Sequence, residues 1–140
     1  MRVKSILLLI MCLALTGCVT HQAGLKSYVA PDLPVFDMAS AAHDVAEALS
    51  VAYPPGMTML ALEQGNGNAF NQALENALRS RGFKLGHDSV ALKLTYRIDR
   101  LFEEAACYLT VNLSDGWIYS RAYAIKGNTA EPVTTLKGRQ

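Results

Sequence analysis

The residue with the clearest chemical role is Cys18, which ends the tetrapeptide Leu15-Thr16-Gly17-Cys18. A basic start and an apolar run over residues 6–15 precede it, and Gly17 is the small residue that a signal peptidase requires beside its cut. This order is that of a bacterial lipobox. It predicts a signal peptide over residues 1–17, cleavage before Cys18 and acylation of the Cys18 sulfur.

The apolar run is too short to be a membrane-spanning helix. About ten residues form roughly 15 Å of helix, which is half of a hydrocarbon core of about 30 Å. We therefore expect the acyl chains on Cys18, and no transmembrane segment, to hold the protein at a membrane.

Three groups of residues have the types needed for catalysis or metal binding, but their spacing argues against both. His87-Asp88-Ser89 contains the residue types of a hydrolase triad, yet sequence neighbours in a loop point in different directions. His43 has no His or Cys three or four residues away, as a helical metal site requires, and His21 lies near the start. Glu103-Glu104 is typical of a solvated turn between strands. We predict neither enzyme activity, nor a metal site, nor a cofactor.

The Gly65-x-Gly67 loop is a weak match to a dinucleotide-binding fingerprint. The position that needs a third small residue is Phe70, and only Asp88 stands near the place of the acidic residue that binds the ribose. The loop is better explained as a turn that leads into a helix.

Composition narrows the class of protein further. Cleavage before Cys18 removes 17 of the 140 residues, with Arg2 and Lys4, and leaves 123 residues with 11 basic and 12 acidic side chains. A net charge near −1 gives no reason to expect direct binding of nucleic acid. Cys107 remains without a partner in the mature chain, so it is either a buried apolar residue or an intermolecular link.

The segment after the anchor reads as a tether. Residues 18–34 contain Gly24, Pro31 and Pro34 and show no apolar period. Val19 follows the cysteine where an Asp, by the lipoprotein sorting rule of enteric-type bacteria, would retain the protein in the inner membrane. We therefore expect an outer-membrane lipoprotein whose domain faces the periplasm, with no small-molecule substrate.

The folded part begins with a helix, a strand and a second helix. Apolar residues recur every three or four positions from Met38 to Tyr53, after Asp37 as N-cap. Pro54-Pro55-Gly56 ends this helix, and residues 57–63 form a short apolar strand. A second helix, with Asn68 as its N-cap, runs over residues 69–81. Gly82 then stands where a left-handed C-terminal cap is needed.

After the second helix, apolar residues recur at every second position. This spacing predicts an antiparallel meander of three or four strands. Two alternating strands run over residues 90–98 and 107–113, and Asp115-Gly116 is a hairpin signal before a returning strand from Trp117 to Ile125. The fold class is α+β, with one small periplasmic domain over residues 35–126. Residues 127–140 read as a loose tail, with an edge strand over 133–136 as the alternative.

Aromatic residues of the meander are the candidate interaction surface. We place them together on the sheet face away from the helices, where aromatic and arginine side chains suit a protein interface. The alternative is that they cover this face beneath the tail. The residues concerned are Tyr108, Trp117, Tyr119, Arg121 and Tyr123.

The chain resembles the TrbH family of conjugal transfer lipoproteins. The likeness covers most of the mature chain: the lipobox, the alanine-rich helix from Asp37 to Tyr53, and the Pro-Gly break before residues 57–63. It also includes Phe70-Asn71-Gln72-Ala73-Leu74 leading to Gly82-Phe83, Tyr96-Arg97-Ile98-Asp99 and Ser120-Arg121-Ala122-Tyr123.

This resemblance implies a structural part in a plasmid-type type IV secretion channel, in mating-pair formation, with other channel subunits as partners. It offers no catalytic residue, only the acylated cysteine, here Cys18. The alternatives are another periplasmic adaptor, such as an activator of a cell-wall synthase or an assembly factor of a secretion pore, or a lipoprotein that excludes redundant mating. A small hydrolase that uses His87 or Glu103-Glu104 is a further alternative, from a different class.

Overall fold

The protein is described by a computed structural model that covers residues 26–34, 36–63, 68–101 and 105–139, with the backbone alone for residues 134–137 and 139. The elements in chain order are β1 Tyr28–Val29, α1 Met38–Ala52, a 3-10 turn Pro55–Met57, β2 Met59–Leu62, α2 Ala69–Ser80 and β3 Lys84–Leu85, followed by β4 Leu92–Leu101, β5 Ala106–Leu113, β6 Trp117–Lys126 and β7 Thr129–Arg139. The predicted α+β class and the helix-strand-helix order before a meander are confirmed.

Both helices begin at the positions that the sequence predicts, and a capping side chain stabilises each start. The Asp37 side chain accepts a hydrogen bond from the backbone N–H of Ala39 at 2.8 Å, and Asn68 accepts one from the N–H of Asn71 at 2.8 Å. These bonds satisfy donors that have no partner within a helix. At the end of α2, Gly82 has φ +88°, which is the left-handed cap that the sequence predicts.

The sheet is mixed, as the strand-helix-strand order allows. The strand order is β3-β2-β4-β5-β6-β7, and the first strand, β1, pairs with β4 beyond the end of β2. β1 and β2 run parallel to β4, whereas β4, β5, β6 and β7 form the antiparallel meander. The long antiparallel strands therefore carry most of the pairing.

Both helices pack on one face of this sheet. The ring of Phe70 in α2 meets the ring of Tyr96 in β4 at 4.9 Å, and the Tyr53 ring after α1 meets Trp117 of β6 at 6.1 Å. The core between the layers is apolar, with Val45, Leu49, Leu74, Leu94 and Val111 fully buried. Burial of such side chains supplies about 1.5–3 kcal/mol each. We call the other face of the sheet the open face.

The predicted tether is shorter than residues 18–34. β1 lies inside the predicted tether and pairs with Arg97 and Ile98 of β4, and both Ser27 and Ala30 are buried. The backbone N–H of Ala30 also donates to the carbonyl of Ile98 at 2.9 Å. Residues 27–30 thus belong to the domain because their pairing satisfies an exposed strand edge, which local composition does not reveal. Residues 18–25 lie outside the described part of the chain.

The prediction of a loose tail over residues 127–140 is also wrong. Residues 129–139 form β7, an eleven-residue strand that pairs along β6 and extends well beyond the alternative of an edge strand over 133–136. The connection is the two-residue loop Gly127-Asn128, and Gly127 has φ +60°. Gly-Asn between two strands is itself a hairpin signal, so this turn was detectable in the sequence.

Candidate interaction surface

The register of β5 and β6 places four of the five predicted interface residues under the helices. Cys107 lies opposite Tyr123, Leu109 opposite Arg121 and Val111 opposite Tyr119, so these positions share the core face of the sheet. Trp117, Tyr119 and Tyr123 are each no more than 6% exposed. The prediction that they lie on the face away from the helices is therefore wrong. Strand period kept them on one face, as predicted, but only the packing of α1 decided which face.

Arg121 and Tyr123 act as links between the sheet and α1. Arg121 Nη1 lies 2.7 Å from Asp44 Oδ2, and the Tyr123 hydroxyl donates to the same oxygen at 3.0 Å. Burial, followed by the neighbouring Tyr119, raises the pKa of Tyr123 above its ordinary value. Burial also raises the pKa of Tyr119. This group is a partly buried polar contact inside the domain, and a partner protein does not reach Tyr119 or Tyr123 there.

Cys107 is buried, which decides between the two predicted alternatives. The thiol is free, the residue is 1% exposed, and burial raises the pKa of the thiol to about 11. At neutral pH such a thiol is almost entirely protonated and behaves as a small apolar side chain.

The open face is formed by the residues that alternate with the buried ones. Tyr108 is the one predicted interface residue that lies there, because its cross-strand partner Ala122 alternates with Tyr123. Neither described helix covers this face. The positions of β5 and β6 that form its centre are Tyr108, Thr110, Asn112, Ile118, Ser120, Ala122 and Ala124.

The centre of the open face carries no charged residue. Ser120 and Thr110 are hydrogen-bonded to each other across the two strands, with their hydroxyl oxygens 3.3 Å apart. Charges stand at the margin on β4, where Arg97 Nε donates to Asp99 Oδ2 at 2.6 Å. The centre of a protein interface is typically depleted of charged residues and is surrounded by a polar margin. The lack of charge at these alternate positions is visible in the sequence, whereas the predicted surface rests on the aromatic residues and Arg121.

The surface between the two helices is concave. A groove of about 320 Å³ runs along the outer side of α1 and α2, where Ala39, His43, Ala73 and Ala77 are among its lining residues. These side chains are small, and His43 is the one ionisable group of the lining. The uncharged polar side chains of the lining are Gln72, Asn76 and Ser80.

The residues considered for catalysis stay apart. His87, Asp88 and Ser89 are all exposed in the loop between β3 and β4, where the backbone of Asp88 accepts from Ala91 in a turn. His43 is exposed on α1, far along the chain from any of them. Glu103-Glu104 and the Gly65-x-Gly67 loop lie outside the described residues. Within the described part of the chain, no group of three or more His, Cys, Asp and Glu residues is placed to hold a metal ion.

The lipobox and Cys18 lie outside the described residues as well. Within the described ranges, neither helix combines the length and the apolarity needed to cross a bilayer.

The fold and its uncharged open face define a small two-layer α+β domain with a surface suited to contact another protein. A family model described as "Conjugal transfer protein TrbH" matches residues 22–139. The chain therefore belongs to the TrbH family of conjugal transfer proteins, as its sequence resemblance indicates. No curated protein and no solved structure matches it.

Proposed function

We propose that this conjugal transfer protein is an outer-membrane lipoprotein, anchored through Cys18, that helps to assemble the type IV secretion channel of mating-pair formation. The family match supports a role in a conjugative apparatus. The lipobox supports the anchor, and Val19 in place of an Asp supports the outer membrane and a domain that faces the periplasm.

The role is structural, and the open face is the contact surface for another channel subunit. The single observation that carries this proposal is the uncharged centre of a sheet face that no described helix covers. Its residues are small or uncharged, so contact with a partner costs little desolvation of charge. His87, Asp88 and Ser89 are sequence neighbours in one exposed loop, so the proposal includes neither turnover nor a small-molecule substrate or cofactor.

Anchoring makes a modest contact sufficient for assembly. Acyl chains contribute about 0.8 kcal/mol per buried methylene, so two or three chains make membrane residence effectively permanent. Confinement at the membrane raises the concentration of the domain near other anchored subunits. The open face then needs to supply orientation and specificity more than affinity.

The experiment compares Ala122→Arg with Gln72→Arg in the full chain. Ala122 lies at the centre of the open face opposite Tyr108, whereas Gln72 is exposed on α2, on the other side of the domain. We expect Ala122→Arg to lower plasmid transfer and co-purification with the other channel subunits at least tenfold, because it buries an unpaired charge at the interface. Gln72→Arg is the control for an added charge and should leave both unchanged.

Thermal unfolding of both variants shows whether the domain stays folded. Equal transfer and equal co-purification for folded Ala122→Arg and Gln72→Arg would contradict the open face as the contact. Cys18→Ser tests the anchor separately: it should abolish palmitate labelling and release the protein from the membrane fraction. Persistent labelling would contradict acylation at Cys18.

A further inference from the structure

The start of the described chain is fixed to one edge of the sheet. β1 pairs with β4, and the backbone N–H of Tyr96 donates to the Ser27 hydroxyl at 3.2 Å. The hydroxyl of Ser27 is buried with its residue, which is 3% exposed. The described chain therefore begins beside β4, and the domain starts well before residue 34, where a long tether would end.

The short connection limits how the domain sits at a membrane. Cys18 and Lys26 are eight residues apart, and a fully stretched chain of that length reaches about 29 Å. The four strand spacings from β1 through β4, β5 and β6 to β7 amount to about 19 Å. An anchor on the β7 side would require about two-thirds of this full extension, so the side that carries β1 is the one nearest the anchor.

The residues at this edge have the chemistry of a lipid headgroup contact. Tyr28 is 38% exposed with the Arg97 guanidinium 4.8 Å from its ring centroid, and Leu101 is also 38% exposed. Arg100 stands at the same end of β4, 3.8 Å from Asp32, and Lys26 is exposed. Tyrosine is favoured where apolar chains meet water, and basic side chains are attracted to anionic headgroups. Arg97 is ion-paired with Asp99 as Arg100 is with Asp32, so the three basic side chains exceed the acidic ones by one.

The geometry points to a lipid surface as the partner of this β1 edge, defined as Lys26, Tyr28, Arg97, Arg100 and Leu101. This inference rests on the proposed acylation of Cys18. In this orientation the sheet stands edge-on to the bilayer, with β1 toward the headgroups and β7 away from them. The open face is then perpendicular to the membrane plane, and it remains free to contact a channel subunit.

The test uses the acylated full chain in vesicles of phosphatidylethanolamine and phosphatidylglycerol that contain a headgroup-labelled quencher. A fluorophore is attached to a cysteine introduced at Leu101 or Pro31 near β1, and at Val133 on β7 or Gln72 on the exposed side of α2 as controls. All four positions are described, and Val133 is 63% exposed on β7. Cys107 does not interfere, because it is buried and its raised pKa keeps the thiol protonated.

We expect quenching at Leu101 and Pro31 to exceed that at Val133 and Gln72 at least threefold. Insertion of a twelve-residue Gly-Ser segment before Lys26 should remove most of this difference, because the longer chain lets the domain turn. A charge reversal, Arg100→Glu, should lower quenching at Leu101. Equal quenching at all four positions, or the strongest quenching at Val133, would overturn the inference.

Palmitate labelling of the same samples separates this inference from the proposed function. An unlabelled protein means that the anchor itself is wrong. A labelled protein with equal quenching means that the anchor holds and the orientation does not. A further outcome is that the lipid quencher does not reach the fluorophore at Leu101, whereas a soluble channel subunit added to the vesicles protects that position. The edge is then a protein contact, and the lipid surface is rejected.

Discussion

The Arg121 guanidinium lies 2.7 Å from the Asp44 carboxylate and so joins β6 to α1 across the core face of the sheet. Tyr123 donates to the same carboxylate oxygen at 3.0 Å. The two sheet residues are two positions apart on β6, and the helix residue completes the contact. This relationship explains why an arginine and a tyrosine that resemble interface residues in the sequence have a structural role.

The first prediction concerns the stability of this contact. Asp44→Ala leaves both partners without their acceptor, and we expect it to lower the free energy of unfolding by about 2 kcal/mol. Arg121 and Asp44 are about three-quarters buried at the side chain, so water replaces the lost contact only in part. Urea unfolding measures the change. Lys126→Met, which breaks an ion pair exposed at both side chains, should change it by less than about 0.5 kcal/mol.

The comparison of two substitutions at Tyr123 separates packing from hydrogen bonding. Tyr123→Phe should cost about 1 kcal/mol, since only the bond to Asp44 is lost, whereas Tyr123→Ala should cost about 3–5 kcal/mol for a fully buried ring. An unchanged stability of Tyr123→Ala would place the ring outside the core. Calorimetry and urea unfolding should agree on the order of the two variants.

The second prediction concerns alkaline pH. Burial raises the pKa of Tyr96, Tyr119 and Tyr123 in the folded protein, whereas an unfolded tyrosine titrates near pH 10. The unfolded state therefore loses protons first as pH rises, so these residues stabilise the fold fully below about pH 10 and progressively less above it. The melting temperature should fall above pH 10 together with the appearance of tyrosinate absorbance. Tyr123→Phe should reduce the steepness of that fall; an equally steep fall would rule out Tyr123 as a contributor.

The third prediction concerns the reactivity of Cys107. The thiol is 1% exposed and its pKa is raised to about 11, so a thiol reagent at pH 7.5 should react with the folded domain at least a hundredfold more slowly than with the protein in denaturant. The Cys18→Ser chain, without its signal peptide, provides a sample in which Cys107 is the one thiol. Fast reaction under native conditions, or a disulfide-linked dimer, would contradict burial.

The fourth prediction concerns the length of the tether. A domain that begins at Lys26 should be more stable than one that begins at Asp32, because the shorter chain lacks β1, buried Ser27 and buried Ala30. We expect a loss of about 2–3 kcal/mol from the missing burial and strand pairing. Equal urea midpoints for the two proteins would mean that residues 26–31 are a tether after all. The reference is the protein that begins at Lys26, from which only residues 1–25 have been removed.

Much of the architecture was readable from local signals. Asp37, Asn68 and Gly82 cap their helices as predicted, Asp115-Gly116 makes the hairpin, and β4 to β6 follow the period of two. These features depend on residues close together in the chain, so short-range chemistry determines them. The β6–β7 hairpin belongs to the same class, since Gly127-Asn128 is a local hairpin signal.

The interaction surface was only partly predictable, because face assignment is not local. Tyr108 was placed correctly on the open face, whereas Trp117, Tyr119 and Tyr123 were assigned to it because large aromatic residues suit interfaces. Aromatic residues suit cores equally well, and the strand period alone does not tell the two faces apart.

The sequence by itself determined the lipobox, the family resemblance, the α+β class and the sets of residues that share a strand face. Each follows from neighbouring residue types or from a fixed period. Only the tertiary structure decided that Asp44 meets Arg121, which face α1 and α2 cover, and that β1 is bound to β4. The physical reason is that these outcomes depend on contacts between segments far apart in the chain, where burial and pairing of one segment are satisfied by another.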